Sequence, residues 1–207
     1  ALAWMDVSTG QFQLAQLEHL GHLCALLQVI SPVEVLVPAG AWEDSRDFRN
    51  ADGALDPLAA WVTQQSLSRL PGVDSQVLSG AQRVRQALGV ATLNGFGVPD
   101  DHPSLGAAGA LIRYVEAHLC APLSHLSRVE LYQPQTALVL DAATLRNLEI
   151  FQSLPTGGRQ GSLLGAVDAT LTAAGSRLIR EYLGFPLRNL ELIRWRQEAV
   201  GECLAHP

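Results

Sequence analysis

The first forty residues alternate between short apolar runs and one longer segment with helical spacing. Residues 2–7 form an apolar run of strand length, 8–10 predict a turn, and 11–15 alternate polar and apolar positions. This pattern predicts an antiparallel hairpin. Residues 17–27 repeat apolar positions on one helical face, and 33–37 suit a buried strand. The order predicts a mixed sheet with helices packed on it.

A second helix is predicted from Ser79 to Leu88, after a polar, glycine-containing loop over residues 43–56. Its inner face carries Ala81, Val84 and Leu88. The outward positions of this helix are polar: Gln82, Arg83, Arg85 and Gln86. A solvated helix face is the usual explanation of such a pattern, and a docking surface is the functional alternative.

A long helix is predicted after His102-Pro103-Ser104, continuing to Cys120. Its start is rich in alanine and glycine over residues 106–110, which permits close packing. Before it, Gly95-Phe96-Gly97 predicts a flexible turn whose aromatic ring fills the core of this part of the chain. The best junction between two domains lies at residues 121–127.

The second half reads as four helices, each begun by a residue that can cap it. The predicted N-caps are Asp141, Ser162, Thr172 and Asn189. Apolar residues recur at helical spacing after the first three caps: Leu145, Leu148, Leu163, Leu164, Val167, Leu178, Ile179, Tyr182 and Leu183. We expect the fourth helix to bury Leu190, Ile193, Val200 and Leu204.

Composition and charge narrow the classes of function. The 207 residues suit one or two domains, and no apolar run approaches the roughly 20 residues of a membrane span. Residues 1–121 contain twelve acids and six arginines, a net charge of −6, whereas residues 122–207 contain eight of each. Because nonspecific affinity for nucleic acid comes mainly from cations that neutralise phosphates, we expect weak DNA binding or none. Since the chain begins without methionine inside a strand-like pattern, we expect a piece of a longer protein.

The sequence contains few residues that could bind a metal ion or a nucleotide. Cys24, Cys120 and Cys203 are far apart in apolar helical contexts, which predicts buried free thiols in a reducing cytoplasm. His19 and His22 have helical spacing for a metal, but no third ligand is evident, so we interpret them as a surface pair. All fourteen basic residues are arginine, so the lysine of a phosphate-binding P-loop is not in this chain.

Several short motifs together resemble the MutS family of DNA mismatch-repair ATPases. In the second half they match the start of the MutS core domain: Asp141 to Thr144, Arg146 to Ile150, Gly161 to Leu164, Val167-Asp168, Thr172 to Leu178 and Pro186 to Arg188. In the first half, Met5 to Gly10 and Gly95 to Gly97 resemble the MutS connector domain. The family also implies a strand near residues 71–78, where Val73 and Val77 replace the usual aromatic residues.

The resemblance implies an α/β connector with an RNase H-like fold over residues 1–121 and a mainly α-helical partial core over 122–207. It implies that MutL docks on the connector, for which Gln82, Arg83, Arg85 and Gln86 are the candidate residues, Arg83 being a departure from relatives. Candidate hinges for relaying signals are Pro122, Gly157 and Gly158, and the alternative is that these residues simply end helices.

The resemblance also implies that the chemistry lies elsewhere in the parent protein, a homodimer that binds ATP, magnesium and mismatched DNA. The family reads mismatches with a Phe-x-Glu motif, and no phenylalanine here is followed two places later by glutamate. We therefore expect a noncatalytic chain with no cofactor or metal of its own.

Two further hypotheses come from single features. Asp6 on the first strand resembles the metal-binding carboxylate of RNase H-like nucleases, but two-metal catalysis needs several converging carboxylates and only Glu34 is a further candidate. The alternative is an aspartate that stabilises the following turn. Separately, we expect an apolar face around Leu178, Tyr182 and Ile193 to be exposed or covered by self-association.

Overall fold

The computed structural model divides the chain into two compact units. Unit 1 comprises Ala1–Leu20 and Pro32–Tyr132, and unit 2 comprises Gly21–Ser31 and Gln133–Pro207. The structure describes residues 1–18, 20–38, 66–70, 76–120, 123, 126–132, 137–138 and 140–206. None of the helices in these ranges has the length and apolar character needed to cross a membrane.

Unit 1 contains two small sheets in its described part. Strand β1 (Leu2–Asp6) pairs antiparallel with β2 (Gln11–Ala15), which confirms the predicted hairpin. Strand β2 also pairs in parallel with β5 (Glu130–Leu131), so this three-stranded sheet is mixed. Strands β3 (Glu34–Pro38) and β4 (Ser66–Leu70) form a separate parallel pair. The predicted α/β character is confirmed.

The strand expected near residues 71–78 is misplaced. Strand β4 ends at Leu70, and a helix has already begun at Val77. The reason is that Val77 and Leu78 continue the helical pattern of the residues after them rather than the pattern of a strand. Residues 71–75 and the polar loop at 43–56 lie outside the described residues.

Two long helices follow in unit 1. Helix α2 (Val77–Leu88) begins two residues before the predicted start, and the hydroxyl of Ser79 donates to the Gln76 carbonyl at 3.0 Å. It ends at Gly89, whose φ of 67° lies in the left-handed region that glycine favours. A 3₁₀ turn (Asn94–Phe96) leads to helix α3 (Ser104–Leu119), which confirms the predicted long helix.

The core of unit 1 lies between the hairpin and these two helices. Its buried residues are Phe12, Leu14, Ala81, Val84, Leu93, Val98, Leu105, Ala108, Ile112, Leu123, Leu126 and Val129. Phe96, predicted to fill this core, is only partly buried and packs against it, whereas its neighbours Leu93 and Val98 are fully buried. The tight turn holds the ring at the rim while the flanking apolar residues point inward.

Helices α2 and α3 approach each other closely because small residues meet where they pack. A Cβ atom built on Gly80 would lie 2.0 Å from the Leu105 carbonyl oxygen. One built on Gly109 would lie 2.5 Å from the Cα atom of Gly80. The glycines of the predicted Ala/Gly-rich stretch therefore allow backbone-to-backbone contact, as expected.

Unit 2 consists of helices, and the four predicted caps are all present. The helices are α1 (Leu20–Ile30), α4 (Ala142–Asn147), α5 (Leu163–Val167), α6 (Ala173–Gly184) and α7 (Leu190–Ala205). Asp141, Ser162, Thr172 and Asn189 each accept a hydrogen bond from a backbone N–H in the first turn of the helix that follows. Each cap satisfies N–H groups that have no intrahelical partner.

The core of unit 2 includes a helix from the start of the chain. Ala25 and Val29 of α1 are buried together with Leu145, Ile150, Phe151 and Leu164. We predicted α1 within the first of two sequential domains, but the structure groups it with residues 133–207. Unit 2 therefore combines sequence from both halves of the chain.

Burial in unit 2 is less extensive than the helical pattern predicts. Leu145 and Leu164 are buried, and Ile179 and Leu183 are partly buried. No residue of α7 is buried along its described length. Leu190, Val200 and Leu204, which we expected to be buried, are exposed, as are Leu148, Leu163 and Val167. Leu178 and Tyr182 are also exposed, as expected for the uncovered apolar face. Periodicity identifies the apolar face of a helix, but only a packed neighbour removes that face from water.

Candidate functional site

The candidate docking face lies on the outer side of α2. Ala81 and Val84 are buried on the inner side of the helix, as predicted, which turns Gln82 and Gln86 outward to exposed positions. Arg83 and Arg85 lie at its edges and are partly buried. The face therefore presents two side-chain amides to solvent, and these can both donate and accept hydrogen bonds.

The two arginines of this face are held by acidic residues of unit 1. Arg83 Nη1 lies 3.7 Å from Glu116 Oε2 on α3, and Arg85 Nη1 lies 3.0 Å from Asp100 Oδ1. With side-chain exposures of 41% and 29%, these arginines form ion pairs that each stabilise the fold by about 0–1 kcal/mol at most. Their effect is to fix the side chains and to neutralise the local charge.

Helix α3 supports the docking face from behind. At Gly80 the helix lies directly against the backbone of Leu105 and Gly106, without a side chain at that point of contact. The buried hydroxyl of Ser104, at the first turn of α3, donates to the Ala15 carbonyl of β2 at 2.6 Å. The face thus stands on a rigid base, which favours recognition without reorganisation.

Asp6 stabilises the turn of the hairpin. Its Oδ1 accepts hydrogen bonds from the backbone N–H of Ser8 at 2.9 Å and from the Ser8 hydroxyl at 2.7 Å. The N–H groups of Thr9 and Gly10 donate to the Asp6 carbonyl. This is the geometry of the turn-stabilising aspartate in our alternative. No cluster of three or more His, Cys, Asp or Glu side chains suited to a metal occurs among the described residues.

Glu34, the second carboxylate considered for metal binding, joins three elements of unit 1. It accepts hydrogen bonds from the hydroxyls of Ser68 on β4 and Tyr114 on α3, the latter at 2.6 Å. These bonds, that from Ser68 first, lower the pKa of Glu34, and the bond to Glu34 raises the pKa of Tyr114. The ring of His118 packs against that of Tyr114, with centroids 3.9 Å apart.

Of the three hinge candidates, the structure describes only Gly157 and Gly158. Pro122 lies outside the described residues. Gly157 has a φ of 66°, and its N–H donates to the Ser153 carbonyl at 2.8 Å. The Gly158 carbonyl accepts from the Ser153 N–H at 2.8 Å. The two glycines therefore form a hydrogen-bonded turn in unit 2, and their role as hinges stays a prediction.

The predicted burial of the three cysteines is correct only for Cys24. Cys120 and Cys203 are exposed. Cys120 is the C-cap of α3 with a φ of 51°, and Cys203 lies on α7, along which no residue is buried in the described part of the chain. Of the paired histidines, His19 lies outside the described residues.

Arg180 was not identified from the sequence, although its side chain binds the last turn of α1. Its Nε donates to the Val29 carbonyl at 3.0 Å and its Nη2 donates to the Gln28 carbonyl at 2.8 Å. The guanidinium also lies over the ring of Phe151, 4.1 Å from the centroid. An arginine at a helical position gives no local signal of a partner about 150 residues away.

Asp168, between α5 and α6, was noted only as part of a motif. Its carboxylate accepts from the N–H and hydroxyl of Thr170, from the Ser176 hydroxyl at 2.8 Å and from Arg159. The bonds from Thr170 and Ser176 hold the pKa of Asp168 well below its usual range. An Asp-x-Thr sequence is typical of such a side-chain turn, so a local signal for this contact was present.

Comparison with protein families gives the class of this chain. The family described as MutS domain II matches residues 1–127, and that described as MutS domain III matches residues 143–207. The α/β part of the chain and the helical part that follows it thus match two domains of the same family. The chain belongs to the MutS family.

Curated relatives give the same result. The chain is 38% identical over 210 residues to the DNA mismatch repair protein MutS of Symbiobacterium thermophilum, a match that covers 100% of this chain and 23% of the relative. It is 39% identical to the MutS of Thermosynechococcus vestitus, covering 99% and 24%, and 34% identical to that of Desulfosudis oleivorans, covering 97% and 22%. The chain spans about a quarter of the length of these relatives.

Proposed function

We propose that this chain is a noncatalytic connector and partial core of a bacterial, cytoplasmic DNA mismatch repair protein. In it, the chain relays conformational signals between ATPase domains and mismatch-binding domains, and it offers a docking surface to MutL. The proposal includes an RNase H-like fold for the connector and, for the parent protein, a homodimer that uses ATP and magnesium. The family matches to MutS domains II and III support it.

Docking of MutL is assigned to α2. The observation that carries this assignment is the exposed pair Gln82 and Gln86 on a helix whose flanking residues Arg83 and Arg85 are fixed by ion pairs. A partner that meets this face encounters exposed amide groups with little net local charge. Affinity for such a face should depend weakly on salt.

A pull-down of MutL with this chain tests the assignment. We expect the double substitution Gln82→Ala/Arg83→Ala to reduce the captured MutL at least tenfold. The matched control is Arg194→Ala/Gln197→Ala, which removes an exposed arginine and an exposed glutamine from α7 and should leave capture unchanged. Equal capture by all three proteins would refute the docking assignment.

Direct DNA contacts are assigned to other parts of the parent protein. The net charge of −6 over residues 1–121 supports this, because an acidic surface repels phosphates. Salt-dependent binding of the isolated chain to duplex DNA at ordinary ionic strength would contradict it. The nuclease alternative gains no support from the geometry of Asp6, whose carboxylate bonds to Ser8 in the turn. Magnesium- or manganese-dependent DNA cleavage that disappears in Asp6→Asn would restore that alternative.

A further inference from the structure

Helix α1 combines an early place in the sequence with packing in the late unit. It lies between β2 and β3, both strands of unit 1, and within the range matched by MutS domain II. Its apolar residues Ala25 and Val29 are nevertheless buried in the core of unit 2. Cys24, Leu26 and Leu27 of the same helix are buried outside that core, so the contacts of Ala25 and Val29 are one part of what holds α1 in place.

The end of α1 is bound by a single side chain. The last carbonyls of a helix have no intrahelical partner. Two of them, at Gln28 and Val29, accept hydrogen bonds from Arg180 of α6. Both bonds come from a charged donor, and such bonds are stronger than those between neutral groups. Contact with Phe151, itself 7% exposed, fixes the guanidinium in place.

One turn further along α6, the backbone of the same face approaches α1. A Cβ atom on Gly184 would lie 2.3 Å from Val29 Cγ2 and 2.5 Å from Val29 Cγ1. Because Arg180 and Gly184 are four residues apart, they lie on one face of α6. The hydrogen bonds from Arg180 and the close approach of Gly184 thus both act on the last turn of α1.

We propose that Arg180 is a latch that holds the last turn of α1 in the helical core of unit 2. Ser31, with a φ of 49°, follows the latched turn directly. The inference rests on the proposed relay and names a side chain that takes part in it.

Hydrogen exchange of the 207-residue chain tests the latch. The substitution Arg180→Met keeps an apolar side chain over Phe151 and removes both hydrogen bonds. We expect amide exchange of α1 to increase at least tenfold, while α3 of unit 1 keeps its wild-type rate, because the opening is local. Arg180→Lys, which retains the cation, should give an intermediate increase. The control Arg194→Met removes an exposed arginine of α7 and should change neither helix.

Two results would overturn the latch. One is α1 exchange that is unchanged in Arg180→Met, and the other is an equal increase in α1 and α3, which would place α1 in unit 1. A second set of variants covers a failure of Arg180→Met to fold. Gly184→Ala should accelerate α1 exchange, and adding Val29→Ala should restore part of the protection, since it removes the two closest contacts. Purely additive effects of these two changes would also count against the latch.

The latch and the docking face can fail separately. Arg180→Met alters unit 2 alone, so the mutant chain should still capture MutL at the wild-type level. Loss of capture only in Gln82→Ala/Arg83→Ala, together with fast exchange only in Arg180→Met, is the expected pattern. Unchanged α1 exchange with normal docking would refute the latch and leave the docking proposal intact.

Discussion

Because α2 and α3 are in close contact, replacing Gly80 by alanine should destabilise the fold, whereas the same replacement in most helices stabilises it. In an unconstrained helix, replacing glycine by alanine stabilises the fold by about 1 kcal/mol. At Gly80 the new Cβ would lie 2.0 Å from the Leu105 carbonyl oxygen, 2.5 Å from its carbon and 2.9 Å from the Gly106 Cα. All three atoms belong to the backbone, so no side chain can rotate away.

The helices must therefore separate by roughly 1 Å to reach an ordinary C···O contact of about 3.3 Å. A gap of this size removes a quarter to a half of the attraction between facing atoms. It would affect Val84, Leu105 and Ala108, which are fully buried along these helices. Overpacking of a core costs about 1–3 kcal/mol, and we take the upper figure because backbone is involved. After subtraction of the helix gain, Gly80→Ala should destabilise unit 1 by about 2 kcal/mol.

Hydrogen exchange resolves this effect in a chain of two units, where a single unfolding midpoint would mix them. A loss of about 2 kcal/mol corresponds to roughly 30-fold faster exchange of the α2 and α3 amides. Gly201→Ala is the matched control, because Gly201 lies inside α7 and, among the described residues, its added Cβ would meet no side chain or other element within 4 Å. In Gly201→Ala, amide exchange of α7 should become slower, because alanine favours the helix. Unchanged or slower exchange of α2 in Gly80→Ala would refute the reasoning from the close contact.

Three further predictions concern pH and association. The ring Nδ1 of His102 accepts a hydrogen bond from the Ser104 N–H at 3.3 Å, and burial lowers the pKa of His102. The contribution of neutral His102 to the free energy of unfolding is therefore complete above the ordinary histidine pKa of about 6.5 and is lost as pH falls below that value. Exchange of the α3 N-terminus at pH 7.5 and 5.5 should show this loss, which His102→Asn should abolish. For Asp168 the lowered pKa means that its stabilisation is complete above the ordinary value of about 3.9 and is lost progressively as pH falls below it, so Asp168→Asn should speed exchange of the first amides of α6 at pH 7. Exposure of Leu178 and Tyr182 predicts concentration-dependent self-association, and sedimentation as a strict monomer at high concentration would contradict it.

The elements that could be predicted from the sequence are those whose signals are local. Each cap of unit 2 acts within three residues of its own position, so Asp141 and Asn189 are visible without any knowledge of the fold. The hairpin is equally local, since its turn follows its first strand directly. The glycines at the start of α3 also indicated close packing, although only the structure identifies Gly80 as their partner.

The features that escaped prediction depend on residues far apart in sequence. Nothing near α1 indicates that Arg180 binds its end, and nothing near Arg83 indicates Glu116. The apolar pattern of α7 predicted burial, yet Leu204 is 78% exposed, because periodicity does not specify a covering surface. The candidate docking residues could be selected from the helical pattern, whereas the ion pairs that hold their arginines could not.

The place of α1 in unit 2 has a consequence for how this protein is made. Arg180 is translated about 150 residues after the carbonyls that it binds. At about 5–20 residues per second, the ribosome takes roughly 8–30 s to cover that interval. During this time the newly made helix cannot meet its final neighbours, and its apolar side is open to chaperones or to other nascent chains. Capture of α1 by the later helices of unit 2 should therefore be a slow step in the folding of this part of the protein.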